Sequence, residues 1–336
     1  MNEPLISVIT PFRNTARYLA ACIESVLSQK YSRFEYLLSD NGSTDGSLEI
    51  AESYACRDSR IRIIRQSESR SQPQHYNQVL TEISDASRYC KIVQADDLIF
   101  PECLQSMLGV FEGSGTIGLV SSYYLKGDTL RGSGYPFPAP WLPGKEMARL
   151  YLRKGIFVFG SATTVMYRSS LVRECQPFYR EDLLHEDTEK CMEILRKWDF
   201  GFVHQVLSFL RTDNVNESIS APIRTFEPDS LDFHIIVQRF SDVFLDPGEA
   251  AALKRNVKQA YYRILADQWL RVRRPAFWRY HEAGLATIGE MIDTWYLVRE
   301  ICKKLLRMAT DPGSTFLRAL ELFRRTRFEV RSRWKT

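Results

Sequence analysis

The sequence predicts an α/β fold: a mainly parallel sheet flanked by helices, with a helical C-terminal extension. Three observations carry this expectation. Over about the first 120 residues, β-branched and aromatic runs alternate with segments of helical apolar spacing. Polar turns containing Asp, Asn or Gly follow several of the strand-like runs. From about residue 227 the texture changes to arginine-rich amphipathic helices.

Residues 5–10 (LISVIT) form a short strand-like run, ended by Pro11. Residues 16–29 put Leu19, Cys22, Ile23, Val26 and Leu27 on one helical face. Residues 34–39 (FEYLLS) read as a second strand. Residues 43–56 open on capping residues and place Leu48, Ile50, Ala51 and Tyr54 at helical spacing. A third strand (61–65), a third helix (74–83), a fourth strand (89–94, YCKIVQ), a fourth helix (101–111, proline first) and a fifth strand (117–121) follow. In sheets of this kind, ligands sit beyond the carboxyl ends of the strands, which directs attention to the residues after 10, 39 and 94. Residues 127–144 are rich in Gly and Pro and read as a loop. Its Tyr135, Phe137 and Trp141 either cover a bound ligand or pack the loop onto the body. A helix over 145–153, a strand-like run at 162–167, a helix over 185–198 and a strand over 202–211 complete this part. A soft boundary falls near residue 225, and no internal repeat is present.

Composition narrows the function classes. The 336 residues are 44% hydrophobic and 26% charged, enough for a sizeable core. A net charge of +4 does not argue for nucleic-acid binding. The seven cysteines are scattered, with no CxxC pair and no cysteine–histidine cluster, which fits reduced core thiols rather than zinc ligands. The start MNEPLISVITPF lacks a signal-peptide pattern, and no run is apolar and long enough to span a membrane. The expected location is the cytoplasm, with peripheral contact at the inner face of the membrane left open.

Three polar clusters carry candidate chemistry. Thr10-Pro11-Phe12-Arg13-Asn14 and Ser39-Asp40-Asn41-Gly42-Ser43-Thr44-Asp45 follow the first two strands. Such turns suit a nucleotide, because main-chain N–H groups face phosphate and a carboxylate can accept the N–H of a base. The same chemistry caps helices, so Ser43 and Asp45 also fit that ordinary role. Gln94-Ala95-Asp96-Asp97 follows the fourth strand. Adjacent carboxylates there repel each other unless a cation offsets the charge, and magnesium or manganese on a diphosphate takes such hard oxygen ligands. His185-Glu186-Asp187-Thr188-Glu189 heads a helix. One of its carboxylates is placed to take a proton from a hydroxyl, although acids at a helix start are also favoured by the helix dipole.

The order of these pieces resembles glycosyltransferase family 2, whose members have the GT-A nucleotide-sugar fold. The resemblance rests on ITPFRN followed by SVLSQ and YSRFEYLLSDNGSTDGS, on KIVQADD followed by PECLQSML, and on HEDTEKCMEILRKWDFGFV, and covers roughly residues 5–220. It implies an inverting, metal-dependent transferase using a UDP- or dTDP-sugar, in cell-surface polysaccharide or lipid-linked oligosaccharide synthesis. It further implies that Thr10, Pro11, Arg13, Asp40 and Asn41 line the nucleotide site, with Asp40 facing a uracil or thymine N–H. Asp96 is implied for ribose and metal, Asp97 for Mn2+ or Mg2+, Asp187 as catalytic base with Glu186 beside it, and Arg211 as a late-strand arginine. Residues 1–225 would form the catalytic domain, split near 120 into nucleotide-binding and acceptor halves, and 226–336 a helical region.

The chain departs from the family pattern in several places. Arg13 stands where tyrosine is common, Gln94 replaces the first acid of the usual triplet, and His75-Tyr76-Asn77 replaces Ala-Arg-Asn. Asp213 stands where a histidine often follows the arginine. No QxxRW-type sequence is present, which argues against a processive synthase. The rival readings are a nucleotidyltransferase, disfavoured by the lack of GxxxxGK[ST] and GxGxxG patterns, and a non-catalytic binding protein of the same fold. Expected partners are the nucleotide sugar and a saccharide or lipid-linked acceptor, with no nucleic acid; a second copy of the chain stays open. Basic and apolar residues after 250, and the end LRALELFRRTRFEVRSRWKT, suit either an anionic membrane surface or a solvated helical appendage.

Overall fold

The structure, a computed structural model, describes residues 3–66, 68–181, 186–212, 226–271 and 275–310. In chain order the elements begin β1 (Leu5–Phe12), α1 (Ala16–Leu27), β2 (Phe34–Asp40), α2 (Ser47–Ala55), β3 (Ile61–Arg65), α3 (Gln72–Leu80), β4 (Ser87–Ile92), β5 (Leu98–Ile99) and α4 (Cys103–Gly113). Next come β6 (Ile117–Lys126), β7 (Thr129–Arg131), β8 (Trp141–Leu142), α5 (Gly144–Lys154), β9 (Met166–Arg168), α6 (Ser169–Glu174), α7 (Glu186–Ile194) and β10 (Asp199–Leu210). The helices α8 (Pro228–Phe244), α9 (Pro247–Arg271), α10 (Pro275–Ala286) and α11 (Thr294–Thr310) follow. Among the described residues no helix is long and apolar enough to cross a membrane.

The strands form one sheet in the order β3-β2-β1-β4-β9-β6-β10-β5, with β7 on β6 and β8 on β10. The long strands pair in parallel: β3, β2, β1 and β4 with one another, and β6 with β10. The short β5, β7, β8 and β9 pair antiparallel. Since β2, β1 and β4 are neighbours and parallel, their carboxyl ends lie side by side, and so do the turns that carry Asp40, Arg13 and Asp96–Asp97.

Several boundaries differ from the sequence reading, each for a local reason. β1 does not end at Pro11 but pairs with β2 through Phe12. Its partner β4 is matched only as far as Ile9, so Pro11 sits where the strand has one neighbour and its missing N–H costs little. The second helix begins at Ser47 rather than 43, because Asp40 Oδ1 accepts the Ser43 N–H at 2.9 Å and forms a turn instead. Gly42 takes φ +79 inside that turn, a conformation few other residues adopt. The 127–144 segment is not only loop, since it contributes β7 and β8. Residues 162–167 make a 3-10 turn at Ala162–Thr164 before the short β9.

The chain divides into two compact units. The first comprises Met1–Pro228 and Ile236–Leu253, the second Asp229–Ile235 and Lys254–Thr336. In the first, α1 lays Leu19, Cys22, Ile23 and Val26 on Ile6, Val8, Tyr36 and Leu38 of the sheet, and Leu104, Met107 and Phe111 of α4 join the same core. The spacing 19, 22, 23, 26 is one helical face, and burying each aliphatic side chain contributes roughly 1.5–3 kcal/mol. In the second unit, His234 stacks on Tyr261 with ring centroids 4.9 Å apart and bonds Glu290 at 2.9 Å. Tyr261 in turn bonds His281 at 2.8 Å.

Candidate active site

The turns after β1 and β2 are knitted together by side chains that serve main-chain groups. Asn14 Oδ1 accepts the Thr44 N–H at 2.8 Å, and Ser43 Oγ accepts the Asn14 N–H at 3.1 Å. Asp45 takes the N–H groups of Ala16 and Ser47, at the starts of α1 and α2. Asn41 clamps the next loop from both sides: its amide donates to the Arg70 carbonyl and accepts the Arg70 N–H, each at 2.9 Å. Arg13 is exposed and donates to Ser69 of that loop. Asp40 is 5% exposed at the end of β2. His75 of α3 bonds Ser39 at 2.8 Å, and burial pushes its imidazole down to about 4, against the opposing pull of Asp40. That ring is neutral at ordinary pH.

Thr10 differs from the nucleotide-facing role expected of it. Its hydroxyl is fully buried beside α1, 2.9 Å from the Tyr36 hydroxyl and 3.8 Å from Cys22 Sγ. Strand side chains alternate between faces, so Thr10 follows Ile6 and Val8 into the layer under α1. Pro11, the next residue, is buried on the opposite side of the pleat.

The β4 end brings in groups from far along the chain. Asp97 is 4% exposed. Its Oδ2 accepts the Thr163 hydroxyl at 2.6 Å and its Oδ1 accepts the Arg211 N–H at 3.1 Å. The Arg211 guanidinium donates to the Asp96 carbonyl at 2.9 Å and lies over the Tyr18 ring. Thr163 Oγ1 also accepts the Gln94 N–H at 3.0 Å. Beneath it the fully buried Lys91 ammonium donates to the Thr163 and Val165 carbonyls, which settles a charge the sequence placed inside an apolar run. Burial, with the Asp96 carboxylate as the next cause, pushes the Asp97 carboxyl up to about 7. A divalent cation would remove that penalty, and the donor set fits one that draws its other ligands from a diphosphate and water. Among the described residues no group of three or more His, Cys, Asp or Glu forms a closed metal cage.

The acids of α7 are sorted by their surroundings. Glu189 is 2% exposed and ion-paired with Arg239 and, at 3.5 Å, Arg180. Glu186 is buried, while Asp187 is half-buried with Oδ1 accepting the Thr188 N–H at 2.6 Å. Tyr76 joins the two acidic clusters. Its hydroxyl bonds the Gln94 amide at 3.2 Å, and its phenol is raised well above the ordinary value by burial and then by Glu186, Asp96 and Asp187. Asn77, the next residue, clamps the Tyr179 main chain at 2.7 and 2.8 Å. The Tyr76–Gln94 bond thus ties α3 to the turn after β4.

Of the predicted site residues, Asp96, Asp97 and Arg211 are thus brought together, while Glu186 and Asp187 stand at the start of α7. Pro11, Arg13, Asp40 and Asn41 line the adjoining strand ends. His185 and Asp213 lie outside the described residues. The sequence reading missed Thr163, Lys91 and Tyr76. Only His75-Tyr76-Asn77, noted as a departure from the family pattern, hinted at the last. Of the loop aromatics, Tyr135 is structural, stacked on Phe202 at 4.5 Å, whereas Phe137 is 78% exposed.

Comparison with known proteins agrees with this geometry. The profile of glycosyl transferase family 2 matches residues 7–175, half of the chain. Glycosyltransferase GlyG of Streptococcus pneumoniae is 31% identical over 120 residues, which cover 36% of this chain and 39% of that protein. Cholesterol galactosyltransferase of Borreliella burgdorferi is 29% identical over 232 residues, 64% of this chain and 63% of that protein. The chain thus matches less than two thirds of the length of these relatives. Among solved structures, S. aureus TarS 1-349 in complex with UDP has TM-score 0.60 at 16% identity, covering 84% of this chain and 81% of that one. Mannosyltransferase PcManGT from Pyrobaculum calidifontis, in complex with GDP-Man and Mn2+, has TM-score 0.56 at 15% identity, covering 94% and 83%. At such identities these two speak to the fold. With its parallel strand ends, paired acids and matched profile, the chain belongs to glycosyltransferase family 2 and has the GT-A fold.

Proposed function

We propose that the chain transfers a sugar from a UDP- or dTDP-sugar to an acceptor hydroxyl with inversion, in the synthesis of a cell-surface polysaccharide or lipid-linked oligosaccharide. The β4 end carries this reading: Asp97, hydrogen-bonded by the Thr163 hydroxyl and the Arg211 N–H, lies at the carboxyl ends of parallel strands beside the turns that bear Arg13 and Asp40. The UDP and GDP-Man bound by TarS and PcManGT support the donor class.

In this reading Asp40 accepts the base N–H, Pro11 and the Thr10 main chain form a wall, and Arg13 stacks on the base. Asn41 holds the Arg70 loop in place. Asp96 faces the ribose and, with Asp97, would hold Mn2+ or Mg2+, which when bound supplies positive charge to the departing diphosphate. Asp187, with Glu186 beside it, takes the proton of the acceptor hydroxyl. The acceptor oxygen bonds to the anomeric carbon from the face opposite the diphosphate while the anomeric C–O bond to phosphate breaks. One displacement inverts the centre, and no enzyme nucleophile is needed. Residues 1–225 would form the catalytic domain, and 226–336 a helical region.

The test is a thermal-shift screen of nucleotide sugars with and without manganese, followed by assignment of product stereochemistry. Stabilisation by a UDP- or dTDP-sugar that depends on manganese is expected. A protein that no nucleotide sugar stabilises under either condition would overturn the reading.

A further inference from the structure

We infer that the outward face of α11 docks on an anionic membrane surface. This inference rests on the second unit alone and stands apart from the transferase reading. α11 carries two apolar stripes. Leu297 and Ile301 are buried, as a helix packed on its neighbours requires. Trp295, Val298, Cys302 and Leu305 form the other stripe, at steps of three and four residues along the helix, and face out. Trp295 is 74% exposed, Val298 51%, Leu305 47% and the adjoining Leu306 66%. A helix that needs one buried face has no packing use for a second, and exposed apolar surface of this kind marks a binding face.

The charge beside the stripe states what would cover it. Arg299, Lys303 and Arg307 follow one another at four-residue steps along its flank. Glu300 is the acid of this helix, and it points inward, 3% exposed, bonded to Lys303 at 2.7 Å. Arg299 also pairs with Glu300, at 3.4 Å, so three basic residues meet one acid and the flank beside the apolar stripe keeps a net positive charge. A second copy docked across a two-fold axis would set this basic row near its own image, which like charges oppose. A surface of lipid phosphates complements it, and an apolar stripe flanked by basic residues is the pattern of helices that lie in the lipid interface.

The full chain is co-sedimented with vesicles of phosphatidylcholine alone and with vesicles that also contain phosphatidylglycerol, at low and high salt, with no nucleotide sugar present. Binding to the anionic vesicles at low salt and release at high salt are expected. The double variant Leu305→Glu with Leu306→Glu, whose sites are exposed, should bind about tenfold or more weakly at an unchanged melting temperature. Replacing the exposed Arg307 by Gln should weaken binding to anionic vesicles and flatten the salt dependence. Absence of binding at low salt, or binding that the double Glu variant leaves intact, overturns the proposal. So does a dimer in light scattering that the Glu variant dissociates, since the face would then be taken by a second copy.

Discussion

The two acidic clusters of the sheet unit bury carboxylates in opposite ways. Asp97 takes its hydrogen bonds from a hydroxyl and a main-chain N–H, has Asp96 beside it, and is pushed up to about 7. Glu189 of α7, just as buried, meets the guanidinium groups of Arg180 and Arg239. A buried carboxylate matched by arginines belongs to the architecture. At Asp97 the hydrogen-bond donors are neutral and the Arg211 charge only partly offsets burial and the second carboxylate, so a cation arriving with a ligand would relieve what remains.

The sharpest way to break this comparison is at Asp97. Asp97→Ala should lower metal-dependent donor turnover by about 10³-fold or more while the fold persists, as read by circular dichroism. Undiminished turnover in that variant, or in the parent with excess chelator, would remove the cation from the account. Asp187→Asn keeps the shape but cannot accept a proton, and should cost about 10² to 10⁴ in transfer rate. Calorimetry should find donor affinity nearly unchanged; a collapse of affinity with transfer preserved would make Asp187 a binding residue.

Glu189 tests the other side. Glu189→Gln leaves two arginines facing a neutral group and should destabilise the fold by about 3 kcal/mol in urea titration, with the surviving folded enzyme close to normal in rate. A normal midpoint together with a collapsed rate would move Glu189 into the chemistry. The smallest effect is expected at Thr163. Thr163→Val removes a hydroxyl from Asp97 and should raise the manganese needed for half-maximal stabilisation by roughly tenfold, whereas Thr163→Ser should restore it. Equal behaviour of Val and Ser would show that the hydroxyl does not position Asp97.

Much of this was readable along the chain because it is local. Alternating β-branched runs and amphipathic helices specify parallel strands with covered faces, and Leu19, Cys22, Ile23 and Val26 declare the buried side of α1 by spacing alone. Asp40 and Asp96–Asp97 follow strands, and strand ends are where such sheets bind ligands. Period two could also have told that Thr10 points the way of Ile6 and Val8, under α1 rather than toward a nucleotide.

What the chain order hid is who neutralises, clamps or faces whom. Thr163 reaches Asp97 from 66 residues away, through the turn before β9 that the buried Lys91 holds by its carbonyls. The acids at 186, 187 and 189 look alike as letters at a helix start. What marks Glu189 as architectural is its pairing with Arg180 and Arg239, which no local pattern shows. Helical and strand periodicity are properties of neighbouring residues, so the sequence by itself determined the longer strands and helices of the first half and the turns that bear the acids, while β7 and β8 emerged only with the sheet. The electrostatic state of each carboxylate depends on burial and on charges brought near by packing, and that only the tertiary structure decided.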